Sequence, residues 1–134
     1  MSYLTTFISL IEEFIIKLSL LYPDDLDFVH FKTFLLILKK TNPRKILDMF
    51  NTHCLQYREY IKNKDNTFIL TNDFLKDKRE KFKDKDNDND MDDYILNIMI
   101  KLRHYWSTMD EETIDNVWKY LNIFILLSDK LNTE

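Results

Sequence analysis

Apolar residues recur along most of this chain at the three- and four-residue spacing of a helix face. Over residues 2–22 the stripe is Leu4, Phe7, Ile8, Ile11, Phe14, Ile15, Leu18 and Leu21. Ser2 is placed to cap this helix and Pro23 to end it, because the residue before a proline is pushed out of the α region. Asp24 or Asp25 can cap a second helix over residues 25–40. Its apolar residues Phe28, Phe31, Phe34, Leu35, Ile37 and Leu38 spread over more than one face, which predicts a central helix. Asn42-Pro43 then reads as a cap followed by proline at the first helical position. Ile46, Leu47, Phe50, Cys54, Tyr57 and Ile61 extend that third helix over residues 43–63.

A turn cluster follows at residues 63–66. Thr67-Phe68-Ile69-Leu70 is a short apolar run with no strand to pair with. An isolated strand is not stable, so the run reads as an extended or single-turn anchor that buries Phe68 and Leu70. Asp73 can cap a short helix over residues 74–83, tethered by Phe74 and Phe82. Residues 83–93, KDKDNDNDMDD, have no apolar period, and a mobile charged loop is expected over residues 83–91. A fourth long helix, over residues 91–106, turns Ile95, Ile98, Leu102 and Tyr105 inward. The last helix, over residues 108–131, begins at a Ser107 or Thr108 cap, with Thr108-x-x-Glu111 as a capping box. Its stripe is Ile114, Val117, Trp118, Leu121, Phe124, Ile125 and Leu127. The fold class predicted is all-α. We expect a single domain over residues 1–134, a compact bundle of four long helices plus a short helix and an anchored extended segment.

Composition narrows the chemistry. The chain has no Gly and no Ala. Phosphate-binding loops, the dinucleotide fingerprint and the nucleophile elbow all require glycines, so these classes are excluded. Without small residues, helices cannot approach closely, and large side chains must fill the space between them. Phe28, Phe31, Phe34, Phe50, Tyr57, Trp106 and Trp118 are expected as core on that ground. The single cysteine, Cys54, permits neither an intrachain disulfide nor a cysteine-based zinc site and suits a reducing, intracellular setting. Glu12 and Glu13 interrupt the first apolar stripe, which argues against a signal peptide. No run reaches the ~20 apolar residues of a membrane span, and no membrane partner is expected.

Individual constellations are weak. An EF-hand frame starting at Asp84 places Asp86 and Asp88 correctly but has Asn89 where glycine belongs and Ile95 where a bidentate Glu belongs. His30, His53 and His104 lack the spacing of a helical zinc pair. His53 and Cys54 are adjacent and so point about 100° apart on a helix. Asp110, Glu111 and Glu112 suit a helix N-terminus better than acid–base catalysis. No catalytic residue, metal site or cofactor is expected. A basic patch of Lys39, Lys40, Arg44 and Lys45 can contact an anion or nucleic acid, with Tyr57, Arg58 and Tyr60 as stacking residues. The net charge of −4 weighs against that reading.

Several segments resemble small all-helical proteins of giant DNA viruses. They are Tyr22-Pro23-Asp24-Asp25, Asn42-Pro43, residues 57–61 and 65–70, Trp106 followed by Ser107 to Glu112, and Trp118-Lys119-Tyr120-Leu121 with Leu126-Leu127-Ser128. The resemblance implies a viral origin, in host cytoplasm or virion, and no particular activity. The expected function is a non-enzymatic interaction or structural module. Its partner would be a protein or a second copy of the chain, bound through an apolar helical surface, with nucleic-acid binding at residues 39–45 as the alternative.

Overall fold

Eight α-helices make up most of the computed structural model, which describes residues 2–81 and 90–133, and no strand occurs among them. Ser2 caps α1 (Tyr3–Leu21), its hydroxyl accepting from the Thr5 amide at 3.1 Å. Asp25 rather than Asp24 caps α2 (Leu26–Thr41), accepting from the Asp27 amide at 3.1 Å. Its other oxygen accepts from the Tyr105 hydroxyl at 2.6 Å and meets the Lys101 ammonium at 3.0 Å. Burial pushes this carboxyl up, but the Tyr105, Lys101 and Asp27 donors outweigh it and hold the group below the usual carboxylate range. The start of α2 is thereby pinned to α7.

Proline is the first residue of α3 (Pro43–His53), although the Asn42 side chain makes no capping bond. The single helix expected over residues 43–63 is broken. A 3-10 turn, Leu55–Tyr57, separates α3 from α4 (Arg58–Lys62). Two tertiary bonds hold the break. The Tyr57 hydroxyl donates to Asp77 at 2.7 Å, and Arg58 pairs with Asp129 on the last helix. The expected stripe survives because the tight turn keeps Cys54, Tyr57 and Ile61 buried.

The end of α4 shows how a chain without glycine stops a helix. Lys64 takes the left-handed conformation, φ 51°, while its amide bonds the Ile61 carbonyl and the Asp65 amide bonds the Tyr60 carbonyl. This is a Schellman closure with lysine in the position glycine normally fills. A side chain there is strained, so Lys64→Gly is expected to raise the unfolding free energy by about 0.5–1 kcal/mol. Urea denaturation checks this, and a variant less stable than wild type would contradict it.

The anchored extended segment is not observed. Residues 67–70 belong to α5 (Asn66–Thr71), capped by Asp65, whose carboxylate accepts from the Phe68 amide at 3.0 Å. Helical phase then buries Phe68 and Ile69 and leaves Leu70 exposed, where Phe68 and Leu70 had been expected inside. Asp73 caps α6 (Phe74–Lys81) by accepting from the Lys76 amide. Phe82 and residues 83–89 of the expected charged loop, with the frame at Asp84, Asp86 and Asp88, lie outside the described residues.

The remaining helices are α7 (Asp90–Trp106) and α8 (Glu111–Asn132). Asp110 caps α8, accepting from the Thr113 amide at 2.8 Å. The expected Thr108–Glu111 capping box does not form, because the Thr108 hydroxyl turns back to the Tyr105 carbonyl. Four helices are long, namely α1, α2, α7 and α8. α1 lies antiparallel to α8, since Tyr3 meets Lys130 while Lys17 meets Tyr120. Phe7, Phe14, Phe50 and Phe124 form the centre, with edge-to-face contacts at 5.5–6.0 Å between centroids. α2 is not central as expected. It packs against α1, α3 and α7 by Phe28, Phe31, Phe34, Leu35 and Leu38, and its opposite face is exposed.

Candidate functional site

An apolar concavity of about 440 Å³ lies between the second half of α1 and the first half of α8. Below it, Phe14 packs on Phe124 and on Tyr120, at 5.7 and 5.1 Å between centroids. Above, Phe14, Leu18 and Val117 form an apolar floor, and Leu20 and Leu21 stand at its rim. Leu20 is 74% exposed and Leu21 51%. Leu21 had been expected in the buried stripe, but α1 ends there and none of the described residues buries it.

One end of the groove is closed by a polar chain. The Lys17 ammonium donates to the Tyr120 hydroxyl at 2.6 Å, and that hydroxyl donates to Glu13 at 2.9 Å. Lys17 and Glu13 also pair directly at 3.3 Å. The Tyr120 hydroxyl, followed by Lys17, lowers the Glu13 carboxyl. The Tyr120 contact, followed by Glu13, raises the Lys17 ammonium. The positive charge at this end is therefore matched within the chain. At the α8 side, Glu112, Thr113 and Asn116 line the wall, and Asp110 is exposed at the start of the helix. Tyr22, which follows α1, is raised by burial and then by the charge of Asp110. The net result is an apolar floor with Glu112 and Asp110 at its α8 edge.

The expected basic patch is only partly assembled. Lys39 pairs with Glu12 of α1 at 3.2 Å. Lys40 and Arg44 are exposed and have no ion-pair partner among the described residues, and Lys45 is half-buried. The residues expected to stack on bases are engaged elsewhere. Tyr57 is buried and bonded to Asp77, Arg58 pairs with Asp129, and Tyr60 stacks on Phe68 at 4.1 Å.

Cys54 is buried, and burial pushes its thiol up to about 12, so it stays protonated at neutral pH and is no nucleophile. It borders two internal apolar cavities of about 40 and 60 Å³, which share Met99, Leu102 and Leu121. Each is too small for more than a few atoms. His53 is buried, while His30 and His104 are exposed on other helices. No group of three or more potential metal ligands occurs among the described residues. None of their helices is long and apolar enough to cross a membrane.

A further polar element escaped the sequence reading. The Asn66 amide oxygen accepts from both tryptophan indoles, Trp106 at 3.2 Å and Trp118 at 3.1 Å. A single asparagine in a turn cluster carries no signal for such a role.

Comparison with known proteins finds no matching family model, no matching curated protein and no matching solved structure.

Proposed function

We propose that this protein is a non-enzymatic interaction module that receives an amphipathic partner helix in the α1/α8 groove. The observation that carries this reading is Leu20 and Leu21 standing exposed at the rim of an apolar floor. Helix-in-groove recognition uses apolar anchors one and two turns apart, laid into such a floor. The exposed carboxylates of Asp110 and Glu112 define the partner's flank on the α8 side. They attract lysine and arginine and repel acidic sequences. The groove therefore selects a helix with a leucine-like apolar face and a basic border.

The test is an NMR titration with two synthetic helical peptides sharing one leucine face, one with lysine flanks and one with glutamate flanks. The lysine peptide should shift resonances of Leu20, Leu21 and Val117 and bind more weakly as salt rises. Leu20→Asp should lower its affinity at least tenfold without changing the fold, because Leu20 is solvent-exposed. Equal binding of both peptides, or undiminished binding by Leu20→Asp, would remove this reading.

A further inference from the structure

Two voids inside the helical core, of about 40 and 60 Å³, meet at one small side chain. The smaller lies against Tyr57 and Phe74, the larger against Phe31 and Phe50. They share four lining residues, Cys54, Met99, Leu102 and Leu121. Cys54 is the smallest side chain in either lining. Their position follows from the composition of the core. Where Gly and Ala are absent, rigid rings meet at fixed edge-to-face angles, as Phe68 does with Phe74 and Phe50 with Phe124. The wedges between such rings must be filled by side chains of matching size, and the thiol at residue 54 falls short of them.

The chemistry of the walls decides what can occupy this space. Almost no polar atom faces either void. The Tyr57 hydroxyl is committed to Asp77 at 2.7 Å. Cys54 offers only a weakly polar thiol, which stays protonated. A buried water needs two to four hydrogen-bond partners, so water is not held here. The lining atoms therefore lack dispersion partners on their inner side. An apolar guest restores those contacts without breaking any hydrogen bond. Size sets the upper bound, since even together the voids fall short of the ~150 Å³ chamber that takes up benzene. Met99 and Leu121 are the lining residues that are only partly buried, so the way in runs past them. Methionine is unbranched and flexible enough to swing aside.

We propose that the voids around Cys54 form an internal binding site for one small, uncharged, apolar molecule of a few heavy atoms, entered past Met99. Monatomic and short-chain guests belong to this class, whereas charged, hydrogen-bonding and ring-sized molecules do not. Phe14 borders both the larger void and the α1/α8 groove. The guest is nevertheless enclosed by the core, and the site stands whether or not a partner helix occupies the groove.

Xenon is the probe. Methyl resonances of the full chain are followed by NMR as xenon pressure rises. Saturable shifts are expected for Met99, Leu102 and Leu121. Benzene should leave the same methyls unmoved in the wild-type chain and should enter once Leu121→Ala enlarges the shared space. Cys54→Leu places extra carbon atoms in the voids and should weaken xenon binding at least about tenfold, or ~1.4 kcal/mol. Xenon shifts that never saturate, or that are confined to Leu18 and Val117 in the groove, would overturn the proposal. So would benzene shifting Met99, Leu102 and Leu121 in the wild-type chain, or undiminished xenon binding by a Cys54→Leu chain whose circular dichroism matches wild type. The wild-type titration needs no variant and remains decisive even where Cys54→Leu overpacks the core and fails to fold.

Discussion

Trp118→Ala is expected to lower the unfolding free energy by about 3–5 kcal/mol, the range for deleting a large aromatic from a close-packed core. Trp118 is 1% exposed and sits edge-on to Trp106 with centroids 5.1 Å apart. Its indole N–H is bonded to Asn66. Truncation removes the ring's burial, its aromatic contact and one hydrogen bond, and leaves a void between α7 and α8. No glycine- or alanine-sized packing exists nearby to collapse into it, because neighbouring positions already carry large side chains. For a domain with 5–15 kcal/mol of stability in total, this is a large fraction. Urea denaturation followed by circular dichroism measures it, since the fluorescence of the remaining tryptophan changes with the mutation itself. A variant within about 1 kcal/mol of wild type would show that the site relaxes around the loss, contrary to the packing described.

The same helix shows what the sequence carries and where it falls silent. The phase of α8 was legible because a 3.6-residue period over 22 residues leaves little freedom, and Val117, Trp118, Phe124, Ile125 and Leu127 are buried as expected. Local caps at Ser2, Asp25 and Asp73 were legible for a similar reason, since donor and acceptor lie within three residues of one another. The α8 cap was not, because Thr108 and Asp110 are both competent and the Tyr105 carbonyl decides between them. Period alone also cannot distinguish a helix enclosed on two sides from one with an unpartnered apolar face. Ile37 illustrates this: it looks like a core residue in sequence and is exposed in the fold.

Functional surfaces were less legible than the core, and the reason is geometric. The groove depends on which helices lie side by side, and nothing in the residues of α1 alone says that α8 runs beside it. Leu21 therefore read as part of a stripe, when its surroundings are a rim. The basic residues 39–45 read as a patch because they are close in sequence. They span the corner between α2 and α3, and a step of one residue, about 100° around the helix, is enough to direct Lys39 to Glu12 while Lys40 faces away from any partner in the described chain. Nearness in sequence thus overstates a shared surface wherever a helix end intervenes.

Asn66→Leu is expected to lower the unfolding free energy by about 2–5 kcal/mol, although Asn66 itself is exposed. The effect comes from its neighbours. Indole N–H groups donate and cannot accept, and those of Trp106 and Trp118 both converge on the Asn66 amide oxygen. Both rings are buried, so losing the acceptor strands two donors at roughly 1–3 kcal/mol each. Leucine is close in size to asparagine and tolerated in a helix, so packing and propensity change little and the lost acceptor dominates. Asn66→Asp separates the two causes. A carboxylate still accepts from both indoles, and at the first residue of α5 it is favoured by the helix dipole. It should therefore recover most of the stability that leucine loses. If leucine is tolerated as well as aspartate, the indoles have found another acceptor, and the bridge from α5 to α7 and α8 is incidental. If both variants fall together, the carboxamide donor matters as much as the oxygen. The expected order, wild type close to aspartate and well above leucine, would assign to one turn residue the joining of α5 to both tryptophan-bearing helices.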